Sequence, residues 1–214
     1  MSEQKPYNPL DKRNLGASVA EALLERTPIP LGQLQQFIGA GLYAIYYTGN
    51  FSVYKPLAER NRDGRFEWPI YVGEAMPQGG RKGAEDLDAP AGPALFKRLN
   101  DHRKSIEAVV NLDIEDFHCR YLVVEEIFIA LGEALLIAKF APLWNKIIDG
   151  FGNHNPGKGR HAGMRPRWDV LHPGRAWADN LAERPETPDQ ITVDVENFLQ
   201  TAVVPRRPKL MVDN

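Results

Sequence analysis

Three stretches of the chain have the character of β-strands. Residues 41–47 are rich in aromatic and branched side chains and end just before Gly49 and Asn50, which predicts a strand. Residues 69–73 predict its partner strand, and residues 117–124 predict a third. Each of the first two stretches holds a tyrosine near a glycine, where another backbone or a ligand can approach closely.

Three other stretches carry apolar residues at helical spacing. They predict helices over residues 15–26, 94–110 and 125–140. The third helix is apolar on nearly every side, which predicts that it is buried.

The remaining stretches lack a regular pattern. Residues 1–14 predict a loose polar arm, and residues 78–93 predict a long loop rich in glycine and proline. Residues 149–175 contain too many glycines to predict regular structure. Their part from residue 152 onward is basic, with Asp169 as its one acid, whereas the tail that follows is net acidic. We therefore predict a loop-rich extension after the last strong helix.

Composition indicates one globular domain. The chain has 214 residues, of which 43% are apolar and 25% are charged. One cysteine, Cys119, excludes an internal disulfide framework and suits a reducing cytosol. The net charge of −2 argues against a protein that coats nucleic acid, although it allows a local basic patch. The N-terminus lacks the features of a secretion signal, and the longest apolar run is too short for a bilayer, so we expect a cytoplasmic protein without membrane contact.

Arg98 and His102 are the first candidates for chemistry. They lie four residues apart in a predicted helix, so their side chains stack on one face. Such a pair is also common on solvated helix faces, and the tyrosines of the first two strands are equally typical of packing residues. The residues alone leave both interpretations open.

Glu133 stands in the most apolar of the predicted helices. No cation lies three or four residues away from it, because Ile129, Ala130, Leu136 and Ile137 hold those positions. A buried carboxylate without a partner is costly, so it is expected to form a long-range ion pair, bind a metal or point into a cavity.

Two other motifs are rejected. Residues 152–159 nearly fit a phosphate-binding loop, but Gly159 replaces the Ser or Thr that holds magnesium, and no strand leads into the segment. A zinc site is disfavoured because the histidines and Cys119 lack the paired spacing of zinc ligands.

Six residues in chain order resemble the signature of the GIY-YIG nuclease superfamily: Tyr43, Tyr71, Arg98, His102, Glu133 and Asn145. The first motif stands here as Gly-Leu-Tyr at 41–43, with Leu in place of Ile, and the second as Tyr-Val-Gly at 71–73. Residues 144–154 and 173–175, with the long insertion between the strand motifs, are similar to the type II restriction endonucleases of this superfamily that cut CCGCGG.

The resemblance implies an α+β fold in which helices flank a small antiparallel sheet of three strands. It implies a single nuclease domain over residues 1–214, with an N-terminal arm and helix at 1–39. The catalytic core would occupy residues 40–150, and a basic DNA-binding loop and tail would occupy residues 151–214.

The resemblance also implies Mg²⁺-dependent hydrolysis of DNA phosphodiesters. Glu133 would bind the Mg²⁺, and Arg98 would clamp the scissile phosphate. Tyr43 would activate or position the attacking water. Deprotonation of a free phenol costs about 4 kcal/mol at pH 7, so Tyr43 would act as a base only if a nearby cation or a relay through His102 lowered that cost.

Two further residues have supporting roles in this hypothesis. Tyr71 would position phosphate or water, and Asn145 would brace the site. The DNA ligands would come from the basic segment 152–175 and from the loop that holds Arg81 and Lys82, since arginine reading guanine is the commonest base contact. The candidates are Arg81, Lys82, Lys158, Arg160, His161, Arg165, Arg167 and Arg175. A solvated basic loop without DNA contact is the alternative.

The expected partner is double-stranded DNA. A palindromic site would be matched by a homodimer, to which the N-terminal arm and helix would contribute. A bacterial host with a cognate methyltransferase is implied by the resemblance. Two other functions stay open: a structure-specific repair nuclease of the same superfamily, and a DNA-binding protein without catalytic activity.

Overall fold

The structure is a computed structural model that describes residues 7–77, 92–157 and 163–203. Its helices are α1 Lys12–Leu24, α2 Lys55–Asn61, α3 Ala94–Glu107, α4 Glu126–Phe140, α5 Leu143–Lys146, α6 Arg167–Leu171 and α7 Pro188–Thr201. Its strands are β1 Ile29–Pro30, β2 Gly41–Tyr47, β3 Tyr71–Ala75 and β4 Phe117–Val123. In these ranges no helix is both long and apolar enough to cross a membrane.

The strands form one antiparallel sheet in the order β1-β4-β2-β3. The predicted α+β class is confirmed, but the predicted number of strands is wrong, because the sheet has four strands instead of three. The additional strand pairs Ile29 with Cys119 and Pro30 with His118. Proline lacks an N–H to donate, and it is tolerated here because β1 is an edge strand.

β2 is the central strand, and all seven of its residues are buried. It pairs with β4 on one side and with β3 on the other. Gly41 is required at its start, because a Cβ there would lie 1.9 Å from the carbonyl oxygen of Leu122.

The two faces of β2 meet different helices. Leu42 faces α4, since a Cβ at Gly132 would lie 3.1 Å from its Cδ1 atom. Tyr43, the next residue, therefore points to the opposite face, where it contacts His102 of α3. α1 packs behind α4, and the two backbones approach so closely that a Cβ at Gly16 would lie 2.9 Å from the Leu131 oxygen. α1 thus contributes to the core.

α4 is not buried on every side, contrary to the prediction. Ile127 is 72% exposed, and Ala130 and Ala134 lie on the same exposed side. The apolar sequence did not reveal this face because the helix has almost no polar residues to mark its outer side.

The C-terminal extension is more ordered than predicted, because it contains α6 and α7. Thr187 and Gln190 form a reciprocal capping box at the start of α7. Ile191, Val195 and Leu199 recur at helical spacing and are buried. This spacing was the available signal for a helix in the tail.

His172 ties the extension to the core through a buried hydrogen-bond network. Its Nδ1–H donates to Asn111 Oδ1 over 2.9 Å, so its Nε2 accepts from the Tyr54 hydroxyl over 2.6 Å. Trp144 Nε1–H donates to the same hydroxyl over 3.1 Å. Burial and then the charge of Arg175 lower the pKa of His172 to about 3. His172 is therefore neutral in the folded protein at neutral pH.

We expect the free energy of unfolding to fall as the pH drops from about 6.5 to about 3, partly because of His172. Between these pH values the unfolded chain binds a proton at His172, whereas the folded chain does not. The slope from one such group is up to about 1.4 kcal/mol per pH unit. Urea unfolding of wild type and His172→Gln across this range measures it. The variant should be less stable than wild type at pH 7, but its free energy of unfolding should fall less steeply as the pH drops. Parallel plots of free energy of unfolding against pH for the two proteins would contradict a lowered pKa of His172.

Candidate active site

Tyr43 and Tyr71 lie on the same face of the sheet, as the sequence predicts. Tyr43 pairs with Gly73 across β2 and β3, and the two tyrosine rings have centroids 6.2 Å apart. A Cβ at Gly73 would lie 2.5 Å from the Tyr43 hydroxyl oxygen. Gly73 therefore provides the space in which the two phenols converge.

α3 brings Arg98 and His102 to these phenols. The Tyr43 hydroxyl lies 2.5 Å from His102 Nε2, and His102 is only 2% exposed. Burial, followed by the charge of Arg98, lowers the pKa of His102 well below its ordinary value. Burial also raises the pKa of Tyr43 well above its ordinary value, an effect that the nearby Arg98 opposes. The phenol is thus protonated and donates to a neutral imidazole.

Arg98 lies at the centre of the site. Its guanidinium stands beside both Tyr43 and Tyr71, so a positive charge faces two hydroxyl groups. Its Nη1 donates to Nε2 of His154 over 2.5 Å. This side chain offers several N–H groups in one plane, which suits an anionic group with more than one oxygen.

Glu133 reaches the same site from α4 and is half-buried. Burial, and then the proximity of Glu74, raise the pKa of Glu133 to about 7, with Arg98 opposing them. Its charge also raises the pKa of both Tyr43 and Tyr71, which places the carboxylate near the phenols. Within the part of the chain that the structure describes, Glu133 forms no salt bridge.

Glu74 is a second carboxylate that sequence reasoning missed. It pairs with Leu42 across the sheet, and Leu42 faces α4, so Glu74 lies on the side from which Glu133 approaches. Its Oε2 atom is buried and has no hydrogen-bond partner. The sequence feature that could have identified Glu74 as a site residue is its position directly after the Tyr-Val-Gly motif.

Asn145 braces the edge of the sheet. Its Oδ1 accepts from Val72 N–H and its Nδ2 donates to Val72 O, both over 2.8 Å. β3 is an edge strand, and the side chain of Asn145 takes the place of a neighbouring strand there. These contacts fix the position of Tyr71, the residue before Val72.

Three of the predicted DNA ligands have acidic partners, namely Arg165, Arg167 and Arg175. Arg165 pairs with Asp179, and Arg167 pairs with Glu186 and Asp194. The sequence presents a basic segment and an acidic tail as separate features, but the fold brings these opposite charges together. The other candidates, which are Arg81, Lys82, Lys158, Arg160 and His161, lie outside the described residues.

Arg175 requires a correction of its expected placement, because it is not on the surface. It is 3% exposed and forms a two-pronged ion pair with Asp169 over 2.7 and 2.6 Å. A guanidinium held in this way does not reach DNA bases, so we do not retain Arg175 among the DNA ligands.

The residues 150–154, which we call the site loop, complete the site. Phe151 stacks on His102 with ring centroids 4.4 Å apart and planes inclined by 16°. Sequence reasoning had assigned no role to Phe151 or His154, although both lie in the segment that carries the closer family resemblance.

Comparison with known families agrees with this geometry. A family model described as the Eco29kI GIY-YIG domain matches residues 35–199, which include all six residues of the predicted catalytic series. A search of curated proteins gives no match. The family match extends through the site loop and α6 and includes most of α7. The chain therefore belongs to the Eco29kI GIY-YIG family, a family of type II restriction endonucleases.

Proposed function

We propose that this protein is a type II restriction endonuclease that hydrolyses double-stranded DNA with Mg²⁺ at a short palindrome. Its GIY-YIG domain makes it a nuclease with DNA as substrate. The observation that carries the proposal is the convergence of two phenols, one guanidinium, one imidazole and one carboxylate on a single site. CCGCGG, the site cut by Eco29kI, is the first sequence to test.

Proton transfer in this site follows from the Tyr43–His102 contact. The attacking water gives its proton to the Tyr43 hydroxyl oxygen while the proton of Tyr43 moves to His102 Nε2. A free phenolate does not form, which matters because burial raises the pKa of Tyr43 further. His102 is a competent acceptor because its lowered pKa keeps it neutral.

Arg98 supplies the electrostatic part of the mechanism. Its guanidinium offers N–H groups to the scissile phosphate and stabilises the negative charge that develops on the phosphoryl oxygens. Tyr71 lies against the same guanidinium and orients it together with the incoming phosphate.

The family implies a divalent metal, and the residues present fit one. Glu133 and Glu74 are neighbouring carboxylates with no salt-bridge partner among the described residues, and one oxygen of Glu74 is buried without a hydrogen bond. The described residues contain no group of three or more His, Cys, Asp or Glu that could hold a metal. Mg²⁺ needs few protein ligands, so we assign it to Glu133 with Glu74 beside it. When bound, it would stabilise negative charge on the phosphate and on the leaving 3′ oxygen.

His102→Ala is expected to lower the cleavage rate by about 10²–10⁴-fold, the usual contribution of a positioned acid–base group. Single-turnover cleavage from pH 6 to pH 9 measures it, and wild type should show no loss from His102 protonation in this range. Lys104→Ala, an exposed change on the same helix, is the control. An undiminished rate for His102→Ala across this range would exclude the relay.

We also propose that two copies of the chain cut the two strands of a palindrome together. The exposed apolar side of α4, with Ile127 at its start, is available for contact with a second copy. A cognate methyltransferase in a bacterial host belongs to the same proposal. Sedimentation of the protein with and without DNA tests the dimer, and a single copy per site would exclude it.

The first experiment is incubation of plasmid DNA with the purified protein, in Mg²⁺ and in EDTA, followed by sequencing of the fragment ends. Mg²⁺-dependent fragments that share a palindrome are expected. Cleavage only of branched DNA would instead indicate a repair nuclease. DNA binding without cleavage would indicate a DNA-binding protein that has lost catalysis.

A further inference from the structure

The site loop, residues 150–154, forms a wall of the active site. Phe151 is fully buried and stacks on His102. The backbone at Gly152 lies close to two side chains of the site. A Cβ at Gly152 would lie 2.8 Å from the Tyr71 hydroxyl and 2.9 Å from Arg98 Nη2. Only a residue without a side chain allows this approach. The loop thus contacts three groups to which the mechanism assigns roles.

His154 continues this wall to the surface. Its Nε2 accepts a hydrogen bond from Arg98 Nη1 over 2.5 Å, while the ring itself is exposed. A guanidinium can only donate, so Nε2 of His154 is the acceptor in this contact. The Nη2 atom of Arg98 faces Gly152 at the same time. The site loop therefore lies against both terminal nitrogens of the guanidinium and accepts a hydrogen bond from one of them.

The buried Arg175–Asp169 pair anchors the site loop from behind. Arg175 donates to the carbonyl oxygens of Gly150, Phe151 and Asn153 over 2.9, 3.1 and 3.3 Å. Asp169 accepts from Nε and Nη2 of the same guanidinium and fixes its plane. These three carbonyl contacts define the path of the loop that carries His154.

We propose that His154 is a positioning residue for Arg98, held in place by Arg175 and Asp169, and that it sets the orientation of the guanidinium that meets the scissile phosphodiester. The proposal rests on the proposed nuclease function for its activity readout. Arg98 has rotatable side-chain bonds and a planar guanidinium, so its productive orientation requires a contact in addition to those with the two phenols. Misplacement of a clamping group by about 1 Å costs about 10²-fold in rate.

A double-mutant cycle tests the proposal. His154→Ala is expected to lower kcat by about 10–100-fold with little change in KM, whereas in the Arg98→Lys background the same change should have almost no effect. His154→Gln, which keeps an acceptor, should recover part of the rate. Asn153→Ala is the matched control, because the Asn153 side chain makes no hydrogen bond to the described residues. Wild-type rates for His154→Ala, or additive losses in the cycle, would overturn the proposal.

A second readout needs no cleavage. NMR of isotope-labelled arginine guanidinium groups measures rotation about the Nε–Cζ bond of Arg98 in the intact protein. Rotation should be slow in wild type and fast in His154→Ala, and equal rates would overturn the proposal. If wild type cuts no DNA but the rotation differs, the nuclease function fails and the positioning role stands. If wild type cuts and the variant matches it in both readouts, only the positioning role fails.

Discussion

Glu133→Gln is expected to abolish DNA cleavage and to leave DNA binding intact. The amide has the size of the carboxylate but no negative charge, so the fold is kept while the metal loses the ligand that we assign to it. Loss of several kcal/mol of the transition-state stabilisation that the metal supplies corresponds to a decrease of at least about 10³-fold in rate. Plasmid cleavage in Mg²⁺ and a gel-shift assay in EDTA measure the two properties separately.

Terbium luminescence gives a readout of metal binding that does not depend on cleavage. Tyr43 and Tyr71 lie close to Glu133 and are expected to sensitise a bound Tb³⁺ ion. Glu133→Gln should remove this signal, and Glu74→Gln should weaken it. Glu126→Gln, an exposed change on the same helix, is the control and should retain both signal and cleavage. Normal cleavage by Glu133→Gln would remove this residue from the site.

Asp169→Ala is expected to lower the free energy of unfolding by about 3–5 kcal/mol. The change leaves the guanidinium of Arg175 buried without its counter-charge, and such loss of one partner costs far more than loss of an exposed pair. Urea unfolding at pH 7 measures the difference. Glu59→Ala, which breaks the exposed pair with Lys55, is the control and should cost less than about 1 kcal/mol.

The double variant Asp169→Leu with Arg175→Met separates charge from packing. Removal of both charges should recover a large part of the lost stability, since an apolar pair of similar size replaces a buried ion pair at little cost. The cleavage rate of the double variant should stay below that of wild type, because the carbonyl contacts to the site loop are lost. A cost below 1 kcal/mol for Asp169→Ala would contradict a structural role for this pair.

Several parts of the site follow from local sequence. The strand at residues 41–47 was predicted at its observed bounds, because aromatic and branched residues in an unbroken run favour a strand that is buried on both faces. The helical spacing of four residues was enough to place Arg98 and His102 on the same side of α3. The absence of a nearby cation was enough to mark Glu133 as unusual.

Other features depend on contacts between residues far apart in the chain. β1 was missed because two residues make a strand only when β4 lies beside them. The acidic partners of Arg165 and Arg167 stand 14 to 27 positions later in the chain. Local charge patterning does not show that the tail returns to the basic segment. The exposed side of α4 could not be recognised because that helix has no polar stripe.

The sequence by itself determined the order of the chemical groups and the local elements that carry them, because periodicity and helical spacing act over a few residues. Only the tertiary structure decided that Arg175 is buried against Asp169 and that Glu74 lies beside Glu133. It also decided that His154 lies on Arg98, across 56 positions of the chain. These contacts arise from the packing of the site loop and α6 against the sheet and α3, and such packing leaves no periodic trace in the sequence.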